Sequence, residues 1–315
     1  MQGTIAVTDY GWYDRLRREP ALDDVNFWKP SASRAFLAEE FSPFLFKLRA
    51  HESGKVCGFG FFARYSRLPD WFAWETFGIG NGCASLEEMR MRISGIRERI
   101  RYRGVRPAEI GCILVVQPVF FPPEQWVDPP RDWPVRTQAD KKYDLEKGEG
   151  ARLWADCQNV ARLMSVRTAG QPWTAPTLKE TPARYGSPIL VTPRLGQGTF
   201  RIAVTEAYQR GCAVTEEHSL PVLEAAHIKP YHLDGPHEVS NGLLLRADLH
   251  RLFDQGYVTV TPDLRLEVGR RLREEFANGR TYYPLHGHSL RCPQTERERP
   301  NPTHLRWHNE NRYVG

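Results

Sequence analysis

The sequence has no apolar run long enough to cross a bilayer, for which about 18 consecutive residues or more are needed. Its N-terminus, MQGTIAVTDYGWYD, lacks a basic flank followed by an apolar core, so we expect no secretory signal. The six cysteines are scattered and never form a C-x-x-C pair. That spacing argues against a disulfide framework and against a zinc ribbon. We therefore expect a cytoplasmic protein without a membrane partner.

Internal repeats and low-complexity tracts are also missing, and the charge is only mildly unbalanced. The formal net charge of +5 permits a polyanionic partner but does not require one. What the chain does have is length, because 315 residues exceed what one ordinary core holds. We expect two domains.

Tryptophan and histidine are segregated along the chain. Eight of the nine tryptophans lie at or before Trp173, and nine of the ten histidines lie at or after His218. Two cores of different composition explain this distribution most simply. We expect an α+β protein with a domain at 1–165, a linker at 166–187 and a second domain at 188–315.

The first domain is rich in predicted strands. Runs of β-branched and aromatic residues bounded by Gly and Pro predict strands, and apolar residues at helical spacing predict helices. A proline-punctuated tract from residue 122 to 145 predicts an extended loop. Together these elements favour a small barrel-like α+β domain, with predicted strands at 43–48, 55–66 and 110–121 and predicted helices at 85–104 and 149–165.

The second domain carries a distinctive histidine pattern. Thirteen residues separate His227 from Asn241, and eight separate Asn241 from His250. The flanking residues predict His227 on a strand, Asn241 at the end of a loop and His250 on a helix. A strand–loop–helix unit brings such side chains together around one cation, where an imidazole can take a proton from water and an amide can fix the loop.

The segments EAAHIKPY and NGLLLRADLHRLFDQG, at this spacing, resemble the HNH nucleases of the ββα-metal (His-Me finger) class. The resemblance covers about residues 185–315 and implies metal-dependent hydrolysis of DNA phosphodiesters. His227 matches the general base, Asn241 the loop residue that also touches the metal, and His250 the metal ligand on the helix. The implied products carry 5′-phosphate and 3′-hydroxyl ends.

The sequence departs from this family at Ala226, where many members carry an Asp or His ligand. Glu224 lies two residues earlier and thus on the same face of the strand, so its carboxylate is a candidate replacement. A carboxylate with one imidazole suits Mg²⁺ or Mn²⁺, while Zn²⁺ and Ni²⁺ stay open. His232 and His237 are interpreted as loop residues outside the ligand set. Asp254 is interpreted as a brace at the helix end, with a metal role as the alternative.

Three basic residues are candidates for phosphate contacts. A glycine-rich turn that opens a helix predicted at 198–215 is flanked by two arginines, and the dipole of a helix N-terminus favours anions. Ordinary packing of a domain entry segment explains those two arginines equally well. The candidates are Arg194, Arg201 and Lys229.

The first domain resembles the PUA-like superfamily, in particular EVE-like readers of modified bases. The segments DDVNFWKPS, PFLFKL, GFGFFARYSRLPDWFAWETFGIGNG and KKYDL carry this less specific resemblance, over about residues 1–150. It implies a small β-barrel that receives a flipped base between aromatic rings. The candidate pocket residues are Trp28, Trp71, Trp74 and Asn81; core packing is the alternative role for each tryptophan.

These resemblances lead to three hypotheses. The first is a type IV-like restriction endonuclease that binds double-stranded DNA with 5-methyl- or 5-hydroxymethylcytosine and cuts as a homodimer, since one site cuts one strand. The second is a nucleic-acid-binding protein in which Ala226 marks an inactive HNH fold. The third is an HNH nuclease whose cutting does not depend on base modification.

Overall fold

The computed structural model describes two compact units, Met1–Thr199 and Phe200–Gly315, and both are mixed α+β. The predicted linker begins within the last residues of a helix that ends at Arg167, and from residue 168 onward it lies outside the described residues. The predicted domain boundaries therefore stay predictions. The described residues are 1–19, 22–99, 109–134, 139–167, 195–276 and 280–315.

One six-stranded sheet organises the first unit, in the order β2-β5-β4-β3-β1-β6. Strands β1 and β3 are parallel, and the other neighbours are antiparallel. All three predicted strands are present, and the remaining ones complete the sheet. The strands are β1 (Gln2–Thr8), β2 (Asp24–Lys29), β3 (Pro43–Leu48), β4 (Val56–Pro69), β5 (Glu109–Phe120) and β6 (Asp140–Asp144).

The sheet is bent rather than flat. Register shifts interrupt the β4–β5 pairing between Phe59 and Phe61 and between Phe62 and Arg64, and such bulges bend and twist strands. Glycine allows the close approach there, because a Cβ at Gly58 would lie 2.2 Å from the carbonyl oxygen of Val119. The described strands leave β2 and β6 at the two edges, so the predicted closed barrel stays a prediction.

Among the described residues, four helices accompany this sheet: α1 (Tyr10–Arg17), α2 (Asp70–Phe77), α3 (Leu86–Arg99) and α4 (Gly148–Arg167). Asp9 caps α1 by accepting a hydrogen bond from the Trp12 backbone N–H at 3.0 Å. The ring of Trp12 then packs edge-on against the core aromatics Phe27, Phe46 and Phe120. Apolar burial on one face of each helix thus completes the core.

Two predictions of secondary structure, one for residues 122–145 and one for residues 198–215, need correction. The tract predicted to be a loop contains β6, which pairs with β1 and places Tyr143 opposite Gly3. The helix expected at 198–215 ends at Ala207, where left-handed residues follow at Gln209 (φ 53°) and Arg210 (φ 58°). A turn in that conformation stops a helix, and polar composition alone did not reveal it.

Within the described residues, the second unit contains two small antiparallel hairpins, β7–β8 and β9–β10, and four helices. The strand predicted to carry His227 is present as β7, and β8, which pairs with it, was not predicted. Helix α5 belongs to this unit from Phe200 onward. The elements are α5 (Gln197–Ala207), β7 (Leu223–His227), β8 (Gly242–Arg246), α6 (Ala247–Asp254), β9 (Val258–Val260), β10 (Leu266–Val268), α7 (Arg271–Phe276) and α8 (Pro302–Asn311).

Helix α8 packs back on the second unit through His308. This side chain is buried, and its ring stacks on Phe253 with centroids 3.7 Å apart. Its Nε2 donates to the carbonyl oxygen of Phe253 at 3.0 Å, and its Nδ1 accepts from the hydroxyl of Thr259 at 2.8 Å. Burial lowers the pKa of His308 to about 4. The neutral ring is therefore fully hydrogen-bonded, and it fixes α8 against the end of α6.

Within the described ranges, no helix is both long enough and apolar enough to cross a bilayer.

Candidate active site

The β7–β8 hairpin and helix α6 bring together the residues predicted to carry the chemistry. His227 ends β7 directly opposite Gly242, the first residue of β8. Asn241 immediately precedes β8, and His250 lies on α6, which starts as soon as β8 ends. Because the strand, the loop and the helix follow one another without long connections, the three side chains belong to one local unit.

Asn241 holds the loop between the two strands. Its buried amide accepts from the backbone N–H of Lys229 at 2.9 Å and donates to the carbonyl oxygens of Lys229 (2.9 Å) and Pro236 (3.0 Å). The Ile228 N–H donates to the Asn241 carbonyl oxygen at 2.9 Å. Both amide hydrogens are thus used by the backbone. The arrangement suits a residue that fixes the loop, and the predicted metal contact of Asn241 finds no support in it.

His227 is held as a neutral imidazole with only one nitrogen available to water. Its ring stacks on Phe200 with centroids 3.9 Å apart and 13° between planes. Nε2 is sealed from solvent and has no hydrogen-bond partner among the described residues, so Nδ1 is the nitrogen that can meet a water molecule. Burial, together with the nearby His237 and His250, lowers the pKa of His227 to about 4. At neutral pH the ring is uncharged and can accept a proton.

Two carboxylates flank His250. Its Nδ1 lies 2.7 Å from Oε2 of Glu224 on β7, and its Nε2 lies 3.3 Å from Oδ2 of Asp254 on α6. Ala226, at the position where the resembled family carries a ligand, is fully buried. The strand and the helix thus supply carboxylates at other positions. Asp254, expected as a brace with a metal role as the alternative, contacts the histidine directly.

This donor set fits a hard divalent cation. Glu224 and His250 supply an oxygen and a nitrogen, and Asp254 supplies a second carboxylate on the other side of the ring. In the part of the chain that the structure describes, no three His, Cys, Asp or Glu side chains are already grouped to hold an ion. An ion at this site would be bound by one of the two carboxylates and one ring nitrogen of His250. Water or phosphate would supply its other ligands.

The predicted phosphate contacts lie in different surroundings. The Lys229 ammonium sits 5.9 Å from the Trp307 ring centroid, close to the loop that Asn241 holds. Arg201 lies on α5, and Arg194 lies outside the described residues. Of the three, Lys229 is therefore the one that lies in the loop between β7 and β8, two residues after His227.

A separate cavity of about 660 Å³ lies in the first unit. Trp12, Phe27 and Trp28 form aromatic walls. Basic side chains outnumber acidic ones among its lining residues, namely Lys29, Arg49, Arg92 and Arg99 against Asp9 and Asp140. Such a combination suits a planar ring that carries negative charge nearby. Trp28 is the single predicted pocket residue among the described lining residues.

The other three predicted pocket residues have different positions. Trp71 and Trp74 lie on α2, outside the lining of this cavity. Asn81 is fully buried, and its amide accepts from Asn26 (2.9 Å) and donates to the carbonyls of Ala73 (3.1 Å) and Gly78 (2.9 Å). The amide is thus satisfied inside the fold, and its predicted role as a reader of a base edge stays a prediction without support from these contacts.

Asn81 instead supports the cavity wall. Its carbonyl oxygen accepts a hydrogen bond from Nε1 of Trp28 at 2.9 Å. On the other side, the Arg92 guanidinium lies 5.7 Å from the Trp28 ring centroid and binds both oxygens of Asp9 at 2.8 and 2.7 Å. The sequence reasoning missed Asp9, Trp12 and Arg92. Their separation along the chain gave no local signal, apart from the capping position of Asp9 before α1.

Comparisons with known proteins agree with the geometry of the second unit. Residues 212–261 match a family model described as HNH endonuclease, and this segment contains His227, Asn241 and His250. The chain is an endonuclease with an HNH domain in that segment. A search of curated proteins gave no match.

Two solved structures are similar at low levels. ASCH from Zymomonas mobilis shares 11% identity, with 49% of this chain and 94% of that chain covered and a TM-score of 0.34. The modification-dependent TagI restriction endonuclease shares 14% identity, with 99% of this chain and 81% of that chain covered and a TM-score of 0.31. At such identities and TM-scores the likeness carries no argument about the activity of this chain.

Proposed function

We propose that this endonuclease is a modification-dependent, type IV-like restriction enzyme that hydrolyses phosphodiesters in double-stranded DNA. The observation that carries the proposal is the state of His227: a neutral, partly buried imidazole whose Nδ1 alone can meet water, in the same local unit as His250. That arrangement suits a general base beside a metal ligand.

In this mechanism His227 takes a proton from a water molecule on Nδ1 as the water attacks phosphorus. Glu224 and His250 would hold a divalent cation, Mg²⁺ or Mn²⁺ before Zn²⁺ or Ni²⁺, with Asp254 as the second available carboxylate. When bound, the cation would neutralise the charge that develops on the phosphate. Asn241 keeps the loop next to His227 in place. The products carry 5′-phosphate and 3′-hydroxyl ends.

Recognition is assigned to the cavity of the first unit. A cytosine bearing a 5-methyl or 5-hydroxymethyl group flips out of the duplex and stacks on Trp28, while the basic lining residues face its phosphates. Trp71, Trp74 and Asn81 take no direct part in this version of the pocket. Since one active site cuts one strand, a double-strand break calls for two copies of the chain on the DNA.

A second candidate function is binding of nucleic acid without cleavage. The observation in its favour is Ala226, a fully buried apolar side chain where the resembled family carries a metal ligand. In that case the carboxylates of Glu224 and Asp254 serve only to hold the His250 ring. Cleavage assays separate the two functions.

The test is digestion of matched DNA duplexes that carry cytosine, 5-methylcytosine, 5-hydroxymethylcytosine or its glucosylated form, with Mg²⁺ or Mn²⁺. We expect cutting of one or more modified duplexes and little cutting of the plain one. Equal cutting of all four would retain the nuclease and remove the modification dependence. Binding without any cutting would favour the second candidate.

A further inference from the structure

His227 can act as the base only if its proton is on the buried ring nitrogen, Nε2. If Nδ1 accepts the proton of water, Nε2 must carry the proton of the neutral ring. A buried N–H without an acceptor is unfavourable, so a histidine base normally has a partner that fixes which nitrogen is protonated. For Nε2 no such hydrogen bond is formed within the described residues.

The polar group next to this ring is His237. The two imidazoles meet edge to face, with centroids 5.0 Å apart and 76° between planes. Phe200 covers a face of His227, and its ring is also near His237, with centroids 5.7 Å apart. The ring of Tyr231 packs against the ring of His237, with centroids 4.2 Å apart. His237 thus lies between a tyrosine and the candidate base, and its ring is the neighbouring ring that carries nitrogen atoms.

The loop is built so that His237 stays there. The Asn241 amide holds the carbonyl of Pro236, the residue directly before His237, and both backbone groups of Lys229, two residues after His227. The loop is tight at Gly235, where a Cβ would lie 1.9 Å from the Lys229 carbonyl oxygen. Asn241 therefore ties the segment of His237 to the segment of His227.

We propose that His237 is the positioning residue for His227: its ring receives the Nε2–H of His227 and thereby leaves the Nδ1 lone pair directed at water. The proton balance is simple, because Nδ1 gains the proton of the attacking water while Nε2 keeps its own and shares it with His237. This inference rests on the proposed role of His227 as the base, and it gives His237 no contact with the DNA.

Single-turnover cleavage by the full chain tests the proposal. His237→Phe keeps an aromatic ring but removes its nitrogens, and we expect the cleavage rate to fall about ten- to hundredfold with unchanged DNA affinity, as for other partners that orient a functional histidine. His237→Asn restores a polar acceptor and should recover most of the rate. His232→Ala, an exposed histidine in the same loop, is the matched control and should cut like the wild type.

A second measurement keeps the proposal testable if a variant fails to fold. In wild-type protein labelled with ¹⁵N-histidine, the His227 ring should carry its proton on Nε2, and His237→Phe should yield a mixture of both tautomers. Protonation on Nδ1 in the wild type would overturn the proposal. So would wild-type cleavage by His237→Phe.

Different results would contradict the proposed function and the role of His237. If the wild type cuts no DNA, or if His227→Ala still cuts, the proposed function fails. If the wild type cuts, His227→Ala does not, and His237→Phe equals the wild type, only the role of His237 fails.

Discussion

The two candidate sites of this chain are assembled differently. The groups around His227 and His250 come from one stretch, residues 224–254, in which a hairpin leads straight into a helix. The cavity beside Trp28 takes its walls from places as distant as Asp9, Arg49 and Arg92. A contiguous unit can keep its geometry while the rest of the chain varies, whereas the cavity depends on the whole sheet. We expect chemistry to reside in the first and selectivity in the second.

The sharpest test of this division is His227→Ala. Removal of the general base should lower the cleavage rate roughly 10²–10⁴-fold, which is the usual contribution of such a group. The preference of the protein for modified DNA in binding assays should stay as it is. His232→Ala serves as the control. A variant that loses binding and cleavage together would show that the two sites are not separable.

Acid should affect the second unit more than the first. The pKa of His308 is about 4 in the folded protein and about 6.5 when unfolded, so the unfolded chain takes up a proton first as the pH falls. The free energy of unfolding therefore decreases between pH 6.5 and 4, by up to about 3 kcal/mol for this residue. Hydrogen exchange resolved by region should show that loss in residues 200–315.

His308→Phe should flatten this acid dependence, and His227, whose pKa is lowered in the same direction, accounts for part of what remains. His288→Ala, at an exposed position, is the control and should leave the profile unchanged. An equal loss of protection in both units would remove this difference between them.

Selectivity should depend on Trp28 and not on the tryptophans of α2. Stacking of a base on an aromatic ring is worth about 1–3 kcal/mol, so Trp28→Ala should reduce the binding preference for modified DNA by a corresponding factor of roughly 5 to 150. Trp28→Phe keeps a stacking ring and should retain more of it. Trp71→Ala, outside the cavity, is the control. Unchanged preference in Trp28→Ala would retire the cavity as the reader.

The smallest expected effect concerns the carboxylates beside His250. Glu224→Gln should weaken Mn²⁺ binding about tenfold, measured by calorimetry without DNA, because it removes the carboxylate nearest to the His250 ring. Asp254→Asn should weaken it less, since its oxygen lies farther from the ring. Glu206→Gln, paired with Arg210 on the same unit, is the control. Equal affinity in all variants would place the ion elsewhere.

The contrast between the contiguous site and the dispersed cavity explains which residues could be predicted from the sequence. The order of strand, loop and helix around His227 was predictable, because spacing within one stretch determines it. Asp254 contacts His250 through the i to i+4 relation of a helix. The sequence alone did not show whether Asp254 makes this contact or only braces the helix end.

The cavity of the first unit was not predictable in the same way. Trp28, Trp71 and Trp74 look alike as letters, and only the fold shows that Trp28 lines a cavity while the other two lie on α2. The surroundings of Asn81 were not predictable either, because its three amide hydrogen bonds involve Asn26 on β2, Ala73 on α2 and Gly78 just after α2. β6 was missed because its partner, β1, lies at the opposite end of the domain sequence.

The docking of α8 has a consequence for the order of events during synthesis. His308 stacks on Phe253 and hydrogen-bonds its carbonyl, so helix α6 gains its full support only when residues 302–311 have emerged from the ribosome. The first unit precedes that point and is free to fold earlier, as N-terminal units commonly do. On the proposed division of roles, a nascent chain would bind DNA before residues 302–311 complete the unit that cuts it.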